Sequence, residues 1–371
     1  MFKNIYEKLE IWRIDKSLSV AVLLLISVGA IAFFSAALGI LNRNEIKFYG
    51  MIQSQIYAYL IGIVVMIIFF VINYKYINKF TLYFYVGAVL LSFLVFVPGL
   101  GISHGGSTRW MNVGGFSLQP AEVLKIAVIF ISAWFLRKYD KYLNNFKYVI
   151  LGFLGIMGPI AVAMFMQKDL GTLIIIGSIV VSIFFNSKIK LKYIAAIVLS
   201  GILVFGLYVM TNSYVKNRIY DYMGKGGNSK GISYQNDQAL LAIGNGGVTG
   251  RGYGQSIQKF HYLPEPAGDS VFAVFAEEFG FIGSVLVVLL FFYIITKLTL
   301  ISVKENNIFI KNVIIGSATL LFLQVLLNIG SMLKIIPLSG DTLPFFSQGG
   351  TALICNFMLI GIMLQFTKKN N

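Results

Sequence analysis

The chain of 371 residues contains few charged residues, two histidines and a single cysteine. Charged residues make up 12% of the sequence, about half their share in ordinary soluble domains. Hydrophobic residues make up 57%, and a soluble fold would have nowhere to bury that much apolar surface. The composition therefore disfavours soluble enzymes and soluble nucleic-acid-binding domains, and it predicts a polytopic helical membrane protein.

The sequence has few cysteine and histidine residues, which excludes several kinds of disulfide and metal site. Cys355 lies alone in an apolar run, which excludes an intrachain disulfide and a cysteine metal cluster. His104 and His261 are too few for a histidine metal cage. The sequence contains no Walker loop and no HExxH motif. No cofactor is therefore expected; a divalent cation is left open, although no carboxylate cluster requires one.

Ten segments are long and apolar enough to predict membrane helices, which need about 20 residues each. They are residues 18–40, 53–72, 81–97, 120–136, 148–166, 170–186, 193–210, 270–296, 310–330 and 347–366. The pattern predicts one all-α integral membrane domain over residues 1–371. Residues 211–269 form the longest polar segment, and a loop of that length between helices seven and eight is typical of a functional element.

The basic residues indicate how the chain is oriented. The net charge is +15, and most of the 30 Lys and Arg residues lie at the termini and in every second loop. The positive-inside rule makes that side cytoplasmic, so both termini are expected inside and the 211–269 loop outside. The basic excess is thus a topology signal. No basic stripe with interleaved aromatic residues occurs, so no nucleic-acid partner is expected.

Charged residues in or beside a membrane helix are costly and need a reason. Residues 105–125 contain Arg109 beside Trp110, then Glu122 three residues before Lys125 at a helix start. The planar guanidinium of Arg109 suits recognition of a phosphate group. The structural alternative is an ion pair between Glu122 and Lys125 with an interfacial tryptophan nearby.

The strongest candidate segment, residues 258–280, contains Lys259, Asp269 and Glu277. Asp269 lies where the long loop enters a helix. The helix N-terminus favours its ionised form and partial burial favours its neutral form, a balance that suits a general base. Glu277 lies two turns deeper, within about 80° of the same helix face. A helix cap is the structural alternative for Asp269.

Two further segments carry polar residues at predicted helix ends. In residues 167–172, Asp169 is placed to cap the sixth helix, a structural role, or to line a polar site. Residues 337–351 contain two prolines and three glycines, and Asp341 lies among them. Irregular backbone of this kind at membrane depth indicates either a cavity lining or a plain turn.

Together these segments resemble the SEDS family, the FtsW/RodA/SpoVE polymerases of bacterial cell walls. Each motif alone is weak, but their order and spacing match over nearly the whole chain. The residues that carry the resemblance are Gly105–Trp110, Gln119–Glu122 with Lys125, Lys168–Thr172, Leu263–Glu265 with Asp269 and Glu277–Gly280, and Leu343–Phe345 with Gly349–Gly350.

The resemblance implies a peptidoglycan glycosyltransferase that polymerises lipid II on the outer face of the bacterial cytoplasmic membrane and releases undecaprenyl pyrophosphate. Asp269 matches the acidic residue of the long outer loop that is proposed to be catalytic in the family. Arg109, Trp110, Glu122 and Lys125 match residues that line its outward cavity. The chemistry of an anionic leaving group, separately from the resemblance, makes Arg109, Lys125 and Lys259 its candidate cations, and Glu277 is a further candidate substrate contact. A class B penicillin-binding protein and proteins of a division or elongation complex are the expected partners.

The segments around residues 263–266 and 275–280 look more like FtsW than RodA, which favours a role in cell division over elongation. A lipid II flippase and a non-catalytic scaffold are the alternatives of other classes. Clustered ionisable residues near the outer face favour surface chemistry over transport. The chain departs from the family pattern at Gly268, Gln348 and Asp341, which affects details of substrate positioning.

Overall fold

The computed structural model describes residues 15–41, 43–104, 107–113, 116–211, 232–337 and 340–367. Both ends of the chain, which are predicted to be cytoplasmic, lie outside these ranges. So do Gly105 and Gly106 of the first motif and residues 212–231 of the predicted outer loop.

The described residues form twelve α-helices, and one lies at each of the ten predicted positions. They are α1 Lys16–Leu41, α2 Glu45–Val71, α3 Tyr74–Leu94, α4 Pro120–Lys138, α5 Phe146–Gln167, α6 Leu170–Phe185, α7 Leu191–Thr211, α8 Ile232–Asn245, α9 Gln258–His261, α10 Val271–Lys304, α11 Ile308–Met332 and α12 Gly350–Phe366. Side chains of Asn44, Asn73, Asn145 and Asn307 accept backbone N–H groups and so begin four of these helices.

Seven of the described helices are long and apolar enough to cross a bilayer, so the chain is a multi-pass membrane protein. Helices α6 and α12 are shorter, with 16 and 17 residues. Helix α4 has 19 residues but carries four charged side chains. It is nevertheless the most enclosed helix, since nearly every residue from Pro120 to Leu136 is buried. This enclosure requires partners for its charged groups.

The fold is all-helical, as predicted, except for one connection that was not predicted to form strands. Between α3 and α4 the chain forms an antiparallel sheet of strands β1 Gly101–His104, β2 Ser107–Val113 and β3 Phe116–Leu118, in the order β1-β2-β3. These strands have three to seven residues, too few for a period-two pattern to appear in a segment rich in glycine and serine. The sheet is tied to α12, because the N–H of Gln119 donates to Thr351 Oγ1 over 3.1 Å.

Residues 246–252 pack against a break inside α10. Gly280 has φ +67°, and a Cβ there would lie 2.3 Å from the nitrogen of Gly250. The break exposes backbone groups, which the loop satisfies: Phe281 N–H donates to Gly247 O over 2.9 Å, and Gly252 N–H donates to Glu278 O over 2.9 Å. The loop is therefore fixed to α10 through backbone bonds that only glycine permits at this position.

Candidate active site

Asp269 lies in the short connection between α9 and α10, immediately before the N-cap residue Ser270. Its side chain is partly exposed, and Oδ2 lies 3.7 Å from the position that a Cβ on Gly340 would take. The side-chain amide of Asn328 in α11 donates to the carbonyl of Asp269 over 3.0 Å and to that of Asp341 over 2.9 Å. One amide thus holds the backbone of two irregular segments together beside a reachable carboxylate.

Lys125 is the centre of a buried charge cluster. Its Nζ lies 2.9 Å from Glu122 Oε1, the pair that the spacing of three predicted, and 3.1 Å from Asp341 Oδ1. All three side chains are buried, and the second oxygen of Asp341 has no hydrogen-bond partner among the described residues. Since Asp341 follows Gly340, this cluster of two carboxylates and one ammonium adjoins the segment that faces Asp269.

Arg109 connects the sheet to the start of α6. Its Nη2 donates to the carbonyl of Lys168 over 2.5 Å, and Nη1 lies 3.5 Å from Asp169 Oδ1. Asp169 caps α6, as predicted, by accepting from the N–H and hydroxyl of Thr172. Trp110, the next residue of β2, is half-buried and pairs with Ile102 across the sheet. Arg109 and Trp110 are therefore held by β2, and the contacts of Arg109 involve none of the residues that contact Lys125.

Glu277 is fully buried in α10. Its carboxylate accepts from the hydroxyl of Ser256 over 2.5 Å and from the N–H groups of Ile257 and Gln258 over 3.2 Å each. It thus binds the N-terminal end of α9, where the free N–H groups favour a negative charge. These contacts fix the segment that leads to Asp269.

Lys259 is completely buried, and its Nζ lies 2.6 Å from Glu278 Oε1 and 2.9 Å from Ser35 Oγ in α1. The Ser35 hydroxyl also lies 2.6 Å from the same carboxylate oxygen. These partners enclose the ammonium of Lys259, and its predicted contact with the substrate stays a prediction. The pairing of Glu278 with Lys259 was not predicted from the sequence.

The site residues fall into three anchored groups. The structure brings Lys125 and Glu122 toward the Asp269 connection through Asp341, a residue of the irregular segment 337–351 for which no ion pair was predicted. Arg109 anchors the sheet, whereas Glu277 and Lys259 anchor the chain ahead of Asp269. In the part of the chain that the structure describes, no three His, Cys, Asp or Glu side chains are arranged to hold a metal ion.

The profile of the FtsW/RodA/SpoVE family, described as cell cycle protein, matches residues 16–371. Stage V sporulation protein E of Bacillus subtilis is 34% identical over 358 residues, which cover 95% of this chain and 97% of that protein. A probable peptidoglycan glycosyltransferase FtsW of Coxiella burnetii is 31% identical, with 95% and 96% covered.

Two solved structures share the fold. A chain of a peptidoglycan synthase complex superposes with a TM-score of 0.76 at 21% identity and covers 95% of this chain and 97% of that chain. The rod shape determining protein RodA of Thermus thermophilus superposes with a TM-score of 0.67 at 22% identity and covers 96% and 98%. The helix arrangement described above is thus the one seen in these proteins.

Proposed function

The chain belongs to the FtsW/RodA/SpoVE family of cell cycle proteins, and on that premise we propose that it is a peptidoglycan glycosyltransferase that polymerises lipid II. Full-length relatives named as probable peptidoglycan glycosyltransferases support this proposal. The proposal includes ten membrane spans, both termini in the cytoplasm, and a site that faces outward from the bacterial cytoplasmic membrane. The proposed biological role of the protein is in cell division, with a role in elongation as the alternative.

Asp269 is the proposed general base. It takes the proton from the 4-hydroxyl of the acceptor sugar while that oxygen attacks C1 of the donor. The bond between C1 and the pyrophosphate oxygen breaks with inversion, so an α-linked lipid pyrophosphate becomes a β-1,4 linkage and undecaprenyl pyrophosphate leaves. The observation that carries this assignment is the partly exposed carboxylate at the start of α10, whose backbone Asn328 clamps.

Arg109 and Lys125 are the proposed cations for the departing pyrophosphate. Both contact carboxylates in the present structure, so an anionic substrate group would compete with Asp169 and with the cluster around Lys125. The Nε of Arg109 is buried without a hydrogen-bond partner among the described residues, which leaves one donor for such a ligand. Trp110 and Glu122 line the same proposed cavity.

Lys259 and Glu277 act, in this proposal, as positioning residues. Both hold the chain that precedes Asp269 through buried contacts, and neither needs to meet the substrate. The proposed partner is a class B penicillin-binding protein that crosslinks the new strand. The likeness of this chain to a component of a peptidoglycan synthase complex supports such a partnership.

The test compares the parent chain with Asp269→Asn, each purified with candidate class B partners and supplied with labelled lipid II. Asp237→Asn is the matched control, because Asp237 is an exposed acid of the same loop and forms an ion pair with Lys334 at the surface. Glycan polymer from the parent and the control, but not from Asp269→Asn, is the expected result. Equal polymer from all three removes Asp269 as the base. Lipid II flipping without any polymer would favour the transporter instead.

A further inference from the structure

A groove of about 330 Å³ opens between α3, α4 and α5, where α4 ends and α5 begins. Its wall is apolar and includes five aromatic side chains, those of Tyr85, Trp134, Phe135, Tyr139 and Tyr148. The groove is remote from the candidate active site. Along α4, Lys138 lies thirteen residues after Lys125, which corresponds to about 20 Å of helix.

Two glycines of α5 leave the space that forms the groove. The ring of Phe135 occupies the position beside Gly152, where a Cβ would approach it within 2.0 Å. Gly155 also lines the groove, but the space beside it is open within 4 Å. The Tyr85 hydroxyl donates to the carbonyl of Ile156 over 2.6 Å and joins α3 to α5 at this level. The groove is therefore an apolar channel, and it is open because Gly152 and Gly155 carry no side chain.

A positive charge lies at the rim of this channel. The ammonium of Lys138 lies 4.5 Å from the ring centre of Trp134 and 5.4 Å from that of Tyr139, and both rings line the groove. The connection of residues 137–147 carries four exposed basic residues. Its one acid, Asp140, is already bonded to Lys188 over 2.7 Å. The rim therefore has a net positive charge that no described acid neutralises.

We propose that this groove is a binding site for an anionic glycerophospholipid, whose acyl chain fills the channel and whose phosphate lies on Lys138. Aromatic side chains at headgroup level with basic residues beside them are the surroundings that anionic lipids prefer. A zwitterionic lipid offers the same chain but no net charge for the rim. The site lies at the basic end of the helices and does not rest on the proposed glycosyltransferase activity.

Trp134 supplies a direct readout. The chain has three tryptophans, so Trp12→Phe with Trp110→Phe leaves Trp134 as the single tryptophan, whose emission is excited at wavelengths that tyrosine does not absorb. This variant is reconstituted in phosphatidylcholine vesicles that contain a small fraction of lipid with brominated acyl chains, either phosphatidylglycerol or phosphatidylcholine. Bromine quenches a tryptophan that it contacts. The ratio of quenched to unquenched emission therefore measures occupancy of the groove by each lipid.

Three added substitutions separate the contributions. We expect brominated phosphatidylglycerol to quench at about fivefold lower mole fraction than brominated phosphatidylcholine, and Lys138→Gln to remove most of that difference. Gly155→Leu fills the open space and reduces quenching by both lipids. Gly201→Leu is the matched control, since it adds the same side chain to an open, exposed position of α7 outside the groove.

These measurements test the preference for an anionic headgroup and the place of binding separately. Equal quenching by the two lipids in the parent, or an unchanged difference in Lys138→Gln, would overturn the assignment of an anionic lipid to this rim. If quenching in Gly155→Leu equals quenching in the control Gly201→Leu, the lipid does not bind in the groove and the proposal is overturned. Circular dichroism of each variant before reconstitution verifies that the helices are intact.

Discussion

Replacing Lys259 with methionine tests the buried pair that joins α9 to α10. The ammonium lies 2.6 Å from Glu278, both side chains are at most 1% exposed, and Ser35 contacts both. Lys259→Met leaves the Glu278 carboxylate buried without a cation, which costs about 3–5 kcal/mol of unfolding free energy. Glu278→Gln leaves the opposite charge and should cost a similar amount.

The double variant Lys259→Met with Glu278→Gln removes both charges, so we expect it to lose less stability than either single variant. Equilibrium unfolding by detergent titration, followed by far-ultraviolet circular dichroism, measures all three. The exposed pair of Lys188 and Asp140 provides the comparison: Lys188→Met should cost less than about 1 kcal/mol. Losses that simply add in the double variant would refute the argument that the two charges depend on each other.

Three further predictions use the same unfolding assay or a melting temperature. Lys125→Met leaves two buried carboxylates without their cation and should cost about 3–5 kcal/mol, whereas Asp341→Asn keeps the remaining ion pair and should cost at most about 1 kcal/mol; equal losses would contradict the cluster. Gly280→Ala should lower the melting temperature because of its φ of +67° and a Cβ contact of 2.3 Å, while Gly201→Ala in open space should not; equal melting temperatures would contradict the strain. Partial burial raises the pKa of Asp15, but hydrogen bonds from a serine hydroxyl and a lysine ammonium outweigh it and lower the pKa to about 2. The resulting stabilisation is complete above about pH 4 and lost toward pH 2, so the melting-temperature advantage over Asp15→Asn should shrink across that range; a constant difference would refute it.

The helices could be placed from the sequence because apolar runs of membrane length leave few alternatives. The ends were less predictable. Helix α10 was expected over 270–296 but continues to Lys304, since basic residues at its end break the apolar pattern without ending the helix. The strands β1 to β3 could not be predicted, because runs of three to seven residues carry too little periodicity.

In the candidate site, contacts between residues close in sequence could be predicted, whereas contacts between distant residues could not. The spacing of Glu122 and Lys125 predicted their ion pair, because residues three apart share a helix face. Asp341 joins that pair from 216 positions away in the sequence, and no local pattern reports such a contact. Lys259, the partner of Glu278, could not be identified from a local pattern either. Two adjacent acids in a membrane helix do indicate that buried cations or hydrogen-bond donors are needed.

The rate of glycan synthesis at saturating lipid II tests the central claim most directly. A general base contributes about 10²- to 10⁴-fold to a reaction rate. With the class B partner bound, Asp269→Asn should therefore lower kcat at least about 100-fold while KM stays close to that of the parent and of Asp237→Asn. A kcat within a few-fold of the parent in a folded, partner-bound Asp269→Asn protein would contradict the account.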